Sequence, residues 1–436
     1  MKNKTLFNLF GPIFCEILFL MLAGIVDTLM LSSLNDKAVG AVGTANTYLS
    51  IFIIMFSIIS TGMLAVMTQY IGANKPSVAK QAKNIGLLLN GILGIILSIL
   101  LGLSAKPILV SVGIAKSLLD YSTTYMTIVG CASIFTALIP IYSNYLRSFG
   151  HTKITMYATI IANILNLILN AIFLYVLNMN VAGIAIATVI SKIINLLILI
   201  IYSEIKIKFN SIQNNIPNVL ILKQILKIGL PAAAESALYN IAMTLIIRFL
   251  NQMDEQGINI TARSYVSTIT NFSYCVGCAL AQANAIRIGW NIGQRHYKRC
   301  YKETFTALKY GLIISSVISI LFVIFSTPLL SIFTDNYEII KLASKLLIID
   351  IFLEFGRVTN LIFANALKTT GDAFYIVIVA SIVMIVIGVG GTYILGIHLK
   401  YMAVGAYIAM ALDECIRGII SILRWTSKKW QNKALV

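Results

Sequence analysis

Two stretches of this chain, about 220 residues apart, follow one plan. Gly11-Pro12 leads to Glu16 early in one apolar run, and Leu230-Pro231 leads to Glu235 in another. Tyr70-Ile71-Gly72 closes a segment in the first half, as Asn291-Ile292-Gly293 does in the second. Gly150-His151 and Gly371-Asp372 open an equivalent pair, and Val181-Ala182-Gly183 is echoed by Ala403-Val404-Gly405. An offset held over four such points requires a duplicated unit of about six helices. Duplicated bundles in membranes commonly house transporters, with the ligand path set by the repeats and access alternated by rocking one against the other.

The runs between these points have the length that a membrane demands. The chain is 58% hydrophobic and 11% charged, against about 25% charged in a soluble domain. Apolar stretches long enough to cross roughly 30 Å of hydrocarbon recur about twelve times. They lie near 8–33, 40–68, 84–105, 119–146, 154–177 and 182–203, then 225–250, 259–286, 304–329, 341–367, 374–397 and 402–424. The expected fold is an all-α membrane protein of two pseudo-symmetric six-helix lobes, 1–203 and 225–436, joined by a 204–224 linker. The first run continues into the repeat, so a cleaved signal peptide is not expected.

A net charge of +17 would suit nucleic acid if it formed one patch. It is instead distributed mostly over alternate loops: Lys75, Lys80 and Lys83; Arg147 and Lys153; Lys206, Lys208, Lys223 and Lys227; Arg287, Arg295, Lys298, Arg299 and Lys302; and Arg424, Lys428 and Lys429 at the tail. Roughly three basic residues fall on this side for each one on the other, so both termini and the linker should be cytoplasmic, and nucleic acid is not an expected partner. The six cysteines are spread along the chain, and Cys300 falls in an expected loop. Cys275-Val-Gly-Cys278 has the spacing of a redox or zinc motif but lies in an apolar run without a histidine, which favours small buried thiols. His151, His296 and His398 are scattered singly, without ligand spacing.

The informative residues are those that lipid disfavours. An ionisable group in a span costs on the order of 2.5–3.5 kcal/mol and should face a cavity or a partner. Asp27 and Glu16 lie in the first span, close to three turns apart, and so on one face. In the fifth span Asn163, Asn166 and Asn170 form one polar stripe. Carboxylate and amide oxygens suit a hard cation or a transferable proton. In the second half, Glu235 occupies the position matching Glu16. Asp350, Glu354 and Arg357 follow in the tenth span, with Asp413, Glu414 and Arg417 in the twelfth. Glu354–Arg357 and Asp413–Arg417 have the spacing of intrahelical ion pairs.

These stretches carry a resemblance. Pro12 with Val26-Asp27-Thr28, Gln69-Tyr70-Ile71-Gly72-Ala73, Gly150 through Asn163-Ile-Leu-Asn166, and Val181-Ala-Gly183 through Ala187-Thr188 follow in an order and spacing that resemble the MATE (multidrug and toxic compound extrusion) family. The likeness extends over essentially the whole chain. It implies a twelve-helix fold around a central cavity, with a cation or proton site on helices one, five and six. By position that site maps onto Asp27, Asn166, Asn170 and Thr188. Many relatives carry an aspartate where Asn170 stands, so this chain has one carboxylate fewer, and Asp27 is the obvious titratable member. Some relatives also place a coupling cation in the second lobe, which makes Glu235, Glu354, Arg357, Asp413 and Arg417 candidates there.

Each candidate has a plainer reading. Asparagines are common interhelical glue, and a buried ion pair locks a lobe as readily as it switches one. The expected function is secondary active export of amphiphilic organic cations by a monomer in contact with membrane lipid, in a bacterial plasma membrane. It would use H+ or Na+ in place of a cofactor, since the chain has no nucleotide-binding loop. The alternatives are a flippase for a lipid-linked saccharide and, from another class, a membrane-embedded transferase; the second needs a metal-binding acid pair or a histidine base that the sequence does not display. The topology has a direct test. In a background freed of native cysteines, a cysteine at position 212 or 430 should resist an impermeant thiol reagent in whole cells, and labelling there contradicts the cytoplasmic assignment.

Overall fold

A computed structural model describes residues 4–208 and 216–436. Residues 209–215 of the linker, with Asn214 and Asn215, lie outside the described residues. The chain divides into two compact units, 1–229 and 230–436.

The first unit contains α1 (Leu6–Ser32), α2 (Asp36–Gly72), α3 (Pro76–Ser111), α4 (Lys116–Cys131), α5 (Ser133–Ser148), α6 (Thr152–Ala171) and α7 (Asn180–Lys206). Local chemistry sets several of their starts. Thr5 accepts from the Asn8 amide at the head of α1, Asn35 accepts from Ala38 at the head of α2, and Pro76 opens α3, where a missing N–H costs nothing. The span expected near 119–146 is broken: α4 and α5 meet at 49°. The backbone N–H of Ile134, freed at this break, donates 3.2 Å to the Ser98 hydroxyl of α3, as an interrupted helix in hydrocarbon requires. After α6 the chain continues through a π-helical turn, Ile172–Val176.

The second unit takes up most of α8 (Asn218–Asn251), then α9 (Ile258–Gly293), α10 (Tyr297–Ile324), the short α11 (Ser326–Leu330), α12 (Tyr337–Thr370), α13 (Ala373–Val383) and α14 (Met402–Thr426). The first turns of α8 belong to the first unit, against α2. A Cβ at Gly62 would stand 2.0 Å from the Ile225 carbonyl oxygen, and one at Gly229 would stand 1.8 Å from that of Ile58. Small residues are what allow such backbone contact between membrane helices. Cys300 lies buried in α10, where the sequence reading has it in a loop, because that helix begins at Tyr297, earlier than hydropathy alone suggests. The tail folds back: Trp430 stacks on Trp425 with centroids 4.3 Å apart and donates from its indole to the Trp425 carbonyl.

Eight helices are long and apolar enough to span a membrane, and the α4–α5 pair supplies a ninth. Helices α9, α12 and α14 are of spanning length but carry more polar residues, and with them the described residues hold twelve helices or bent pairs of spanning length.

The duplication is written into the backbone. Left-handed residues recur at matching places: Asn74 and Arg295, Gly150 and Gly371, Asn178 and Lys400, Asn180 and Met402. Gly72 and Gly293 are the last residues of their helices, and the left-handed turn falls two residues later, so neither glycine is the cap itself. The π-helical Ile172–Val176 is echoed by Thr392–His398, and a further π-helical segment, Met384–Val389, follows α13 directly. In the first unit most left-handed positions hold Asn or Gly, which tolerate that conformation, whereas the second unit places Lys and Met there at a cost of roughly 1–2 kcal/mol each. Lys400→Asn should therefore raise stability by about 0.5–1 kcal/mol, read as a higher melting temperature of the purified protein in detergent.

Candidate functional site

Helix α1 carries Asp27 toward α6, where the asparagine stripe meets it. Asn170 donates 2.7 Å to one carboxylate oxygen of Asp27 and 3.2 Å to the side-chain oxygen of Asn166. Asn163 ties the other end of the same contact, donating 3.2 Å to the Phe19 carbonyl. Asn170 is fully buried, and its own amide oxygen has no hydrogen-bond partner among the described residues. An orphaned acceptor in an interior normally marks an absent partner.

Asp27, Asn163 and Asn166 border a cavity of about 380 Å3 in the first unit, lined also by Asn46, Tyr125, Thr188 and Lys192. Thr188 donates to the Ile184 carbonyl of its own helix. Tyr125, on α4, brings its phenol beside Thr188 and Asn46. Of the four residues assigned by resemblance, Asp27, Asn166 and Asn170 form one hydrogen-bonded group, and Thr188 faces the same cavity. A carboxylate with amide and hydroxyl oxygens around it is a donor set for a hard monovalent cation, and the same carboxylate can carry a proton. Among the described residues, Asp27 is the only carboxylate lining the cavity. Lys192, Asn46 and Tyr125 are absent from the sequence reading. Lys192 had a visible signal, a single lysine within the apolar run Thr188-Val-Ile-Ser-Lys192-Ile-Ile.

Glu16 shares the helix but not the site. It is buried, ion-paired to Arg147 at 2.7 Å, and accepts from Thr155 at 2.7 Å. Glu235 is held in the same manner by Lys368, also at 2.7 Å. Arg147 and Lys368 are themselves about 220 positions apart, so the duplicated unit keeps the pair as well as the acid.

The remaining second-unit candidates lie in two clusters. Glu354 pairs with Arg357 and accepts 2.9 Å from Ser273. Arg357 also lies over the Tyr274 ring and, with Asp350, Arg263, Tyr239 and Tyr407, lines a cavity of about 250 Å3. On α14, Arg417 binds Asp413 at 2.5 Å and Glu414 at 2.9 Å, and Asn360 donates 3.0 Å to Glu414. These two acids and one guanidinium join α12 to α14.

Comparison with known proteins gives one consistent answer. A family model described as MatE matches residues 12–172 and 231–394. The chain is 34% identical over 440 residues to an uncharacterized transporter, YisQ, of Bacillus subtilis (strain 168), covering 100% of this chain and 96% of that one. It is 23% identical to a probable multidrug resistance protein, NorM, of Thermotoga maritima, covering 100% and 94% of the two chains. Among solved structures, one of a MATE protein in its bent conformation superposes with a TM-score of 0.89 at 20% identity, covering 97% of this chain and 94% of that one. An outward-facing multidrug resistance MATE transporter superposes with a TM-score of 0.89 at 19% identity, covering 97% and 96%.

The α12–α14 cluster makes a stability prediction. Arg417→Ala strands two buried carboxylates and should cost about 3–5 kcal/mol, while adding Asp413→Asn and Glu414→Gln to it should recover much of the loss. Thermal unfolding in detergent reads both. An Arg417→Ala protein that melts like wild type yet transports nothing would assign the cluster to transport instead of architecture.

Proposed function

Since the chain belongs to the MatE family, and is a multi-pass membrane transporter and not an enzyme, we propose that it is a secondary active exporter of amphiphilic organic cations, driven by H+ or Na+ loaded at Asp27. The observation that carries this reading is the carboxylate of Asp27, alone among the described residues lining the first-unit cavity. Its one bonded oxygen accepts from Asn170, an amide whose own oxygen is left open. The multidrug resistance names of relatives support the substrate class, and a cavity of about 380 Å3 suits a drug-sized molecule. We place the protein in a bacterial plasma membrane with both termini cytoplasmic, working as a monomer.

The coupling follows from linkage. A proton or Na+ at Asp27 removes its charge or satisfies it, which releases Asn170 from the role of sole hydrogen-bond donor to the carboxylate. Any conformation that holds the loaded carboxylate better is then favoured, and substrate that binds the two conformations unequally is expelled or admitted with the switch. With an amide at 170 in place of a second acid, the site bears at most one negative charge, so one monovalent cation neutralises it.

The test is efflux from proteoliposomes under separate H+ and Na+ gradients. Asp27→Asn keeps size and hydrogen bonding and removes the charge change, so it should fold, bind substrate and lose gradient-driven efflux by about 100-fold or more. Asn170→Asp should strengthen dependence on Na+. Gradient-driven efflux by Asp27→Asn at the wild-type rate would sink this mechanism.

A further inference from the structure

Lys192 is a base in a span that the coupling scheme does not use. On α7, Thr188, Lys192 and Asn195 are spaced i, i+4 and i+7, so they form one stripe, and all three line the first-unit cavity with Asp27. The ammonium donates 3.0 Å to the hydroxyl of Thr136 on α5. Three N–H donors belong to an ammonium, and a neutral hydroxyl takes one of them. Among the described residues no ion pair involves Lys192.

This sets Lys192 apart from the basic residues around it. Lys83 of the same unit is paired with Glu204 at 3.2 Å and lies over the Tyr142 and Tyr145 rings. Arg147 is paired with Glu16. One turn beyond Lys192, the side-chain oxygen of Asn195 is buried without a hydrogen-bond partner among the described residues, an open acceptor beside the ammonium. The ammonium thus offers the cavity the charged donors that a carboxylate, sulfonate or phosphate oxygen takes up.

We propose that Lys192 forms an acid-group subsite of the transport cavity, and that the favoured substrates are amphiphiles carrying a carboxylate or similar anionic group. The proposal deepens the exporter reading and rests on it for the meaning of the cavity. An amine on the same substrate is left to Asp27, so the cavity accepts both ends of a zwitterion. A substrate without an acid leaves the Lys192 charge with only Thr136 for company, and such a molecule binds more weakly.

A matched pair of dyes tests this on the full-length protein purified in detergent: rhodamine B, which carries a free carboxylate, and its ethyl ester, which does not. Fluorescence anisotropy at neutral pH should show the acid bound about tenfold more tightly than the ester. Lys192→Met and Lys192→Gln should bring that ratio to about one without lowering the melting temperature, because each removes a charge from hydrocarbon. Lys192→Arg should retain the preference. Equal affinity of the wild type for the two dyes, no binding of either, or an unchanged ratio in Lys192→Met would overturn the subsite. Gradient-driven efflux of the ester from proteoliposomes is read separately. If it fails while the acid preference stands, the exporter reading falls and the subsite remains.

Discussion

A charge placed inside a span costs on the order of 2.5–3.5 kcal/mol, and this chain meets that cost in two ways. At Glu16–Arg147, Glu235–Lys368 and the Asp413–Glu414–Arg417 cluster, each charge has an opposite charge within 3 Å or less. Such pairs cross from one helix to another or brace one helix where it meets its neighbour, and removing one partner strands the other. Asp27 is treated differently. It has a neutral amide and a cavity instead of a cation. A carboxylate held this loosely is the one that a small cation or a proton can still change.

The duplicated plan shows which features belong to the scaffold. Positions kept in both units include the left-handed turns, the π-helical ends and the Glu–basic pair of α1 and α8. The asparagine stripe of α6 has no such echo. At the offset of Gly150 and Gly371 its counterparts are Met384, Ile387 and Gly391, none of them polar. The second unit instead concentrates its polar groups on α12 and α14, around Glu354, Arg357 and Arg417. Scaffold and site therefore separate on internal grounds: what repeats holds the helices together, and what differs between the copies is where each unit specialises.

Much of the fold could be read from the sequence because lipid leaves few choices. A run of about twenty apolar residues has to be a helix, and an offset repeat fixes how many there are. The break between α4 and α5 could not be read, since it depends on a hydroxyl of α3 that reaches the freed amide of Ile134. Nor could the start of α10, where Cys300 was misplaced by hydropathy although the helix runs on in polar residues. At the site, Asp27 and the asparagine stripe announced themselves as polar residues out of place. The partner of Glu235 did not, because Lys368 lies more than a hundred residues away and resembles any loop-proximal lysine. Lys192 was visible but looked like one more basic residue in a basic chain, and only its position on the cavity side of α7 gives it meaning.

That position bears on how the first unit balances its charge. The stripe of α6 offers amides, and the facing residues of α7 offer a hydroxyl, an ammonium and a further amide. Among the described residues that line it the cavity holds one acid, Asp27, and one base, Lys192, so its net charge is zero when both are ionised and positive when Asp27 is neutralised by a proton or a cation. A proton or cation held at Asp27 would therefore make the same cavity less hospitable to a cationic group and more hospitable to an anionic one, through Coulomb interactions that the low local dielectric strengthens. In a cavity carrying two acids, the first bound cation would leave a negative charge behind. With Asn170 and Lys192 in place, one cation at Asp27 would take the net charge that a substrate meets from zero to positive, without any change in the shape of the cavity.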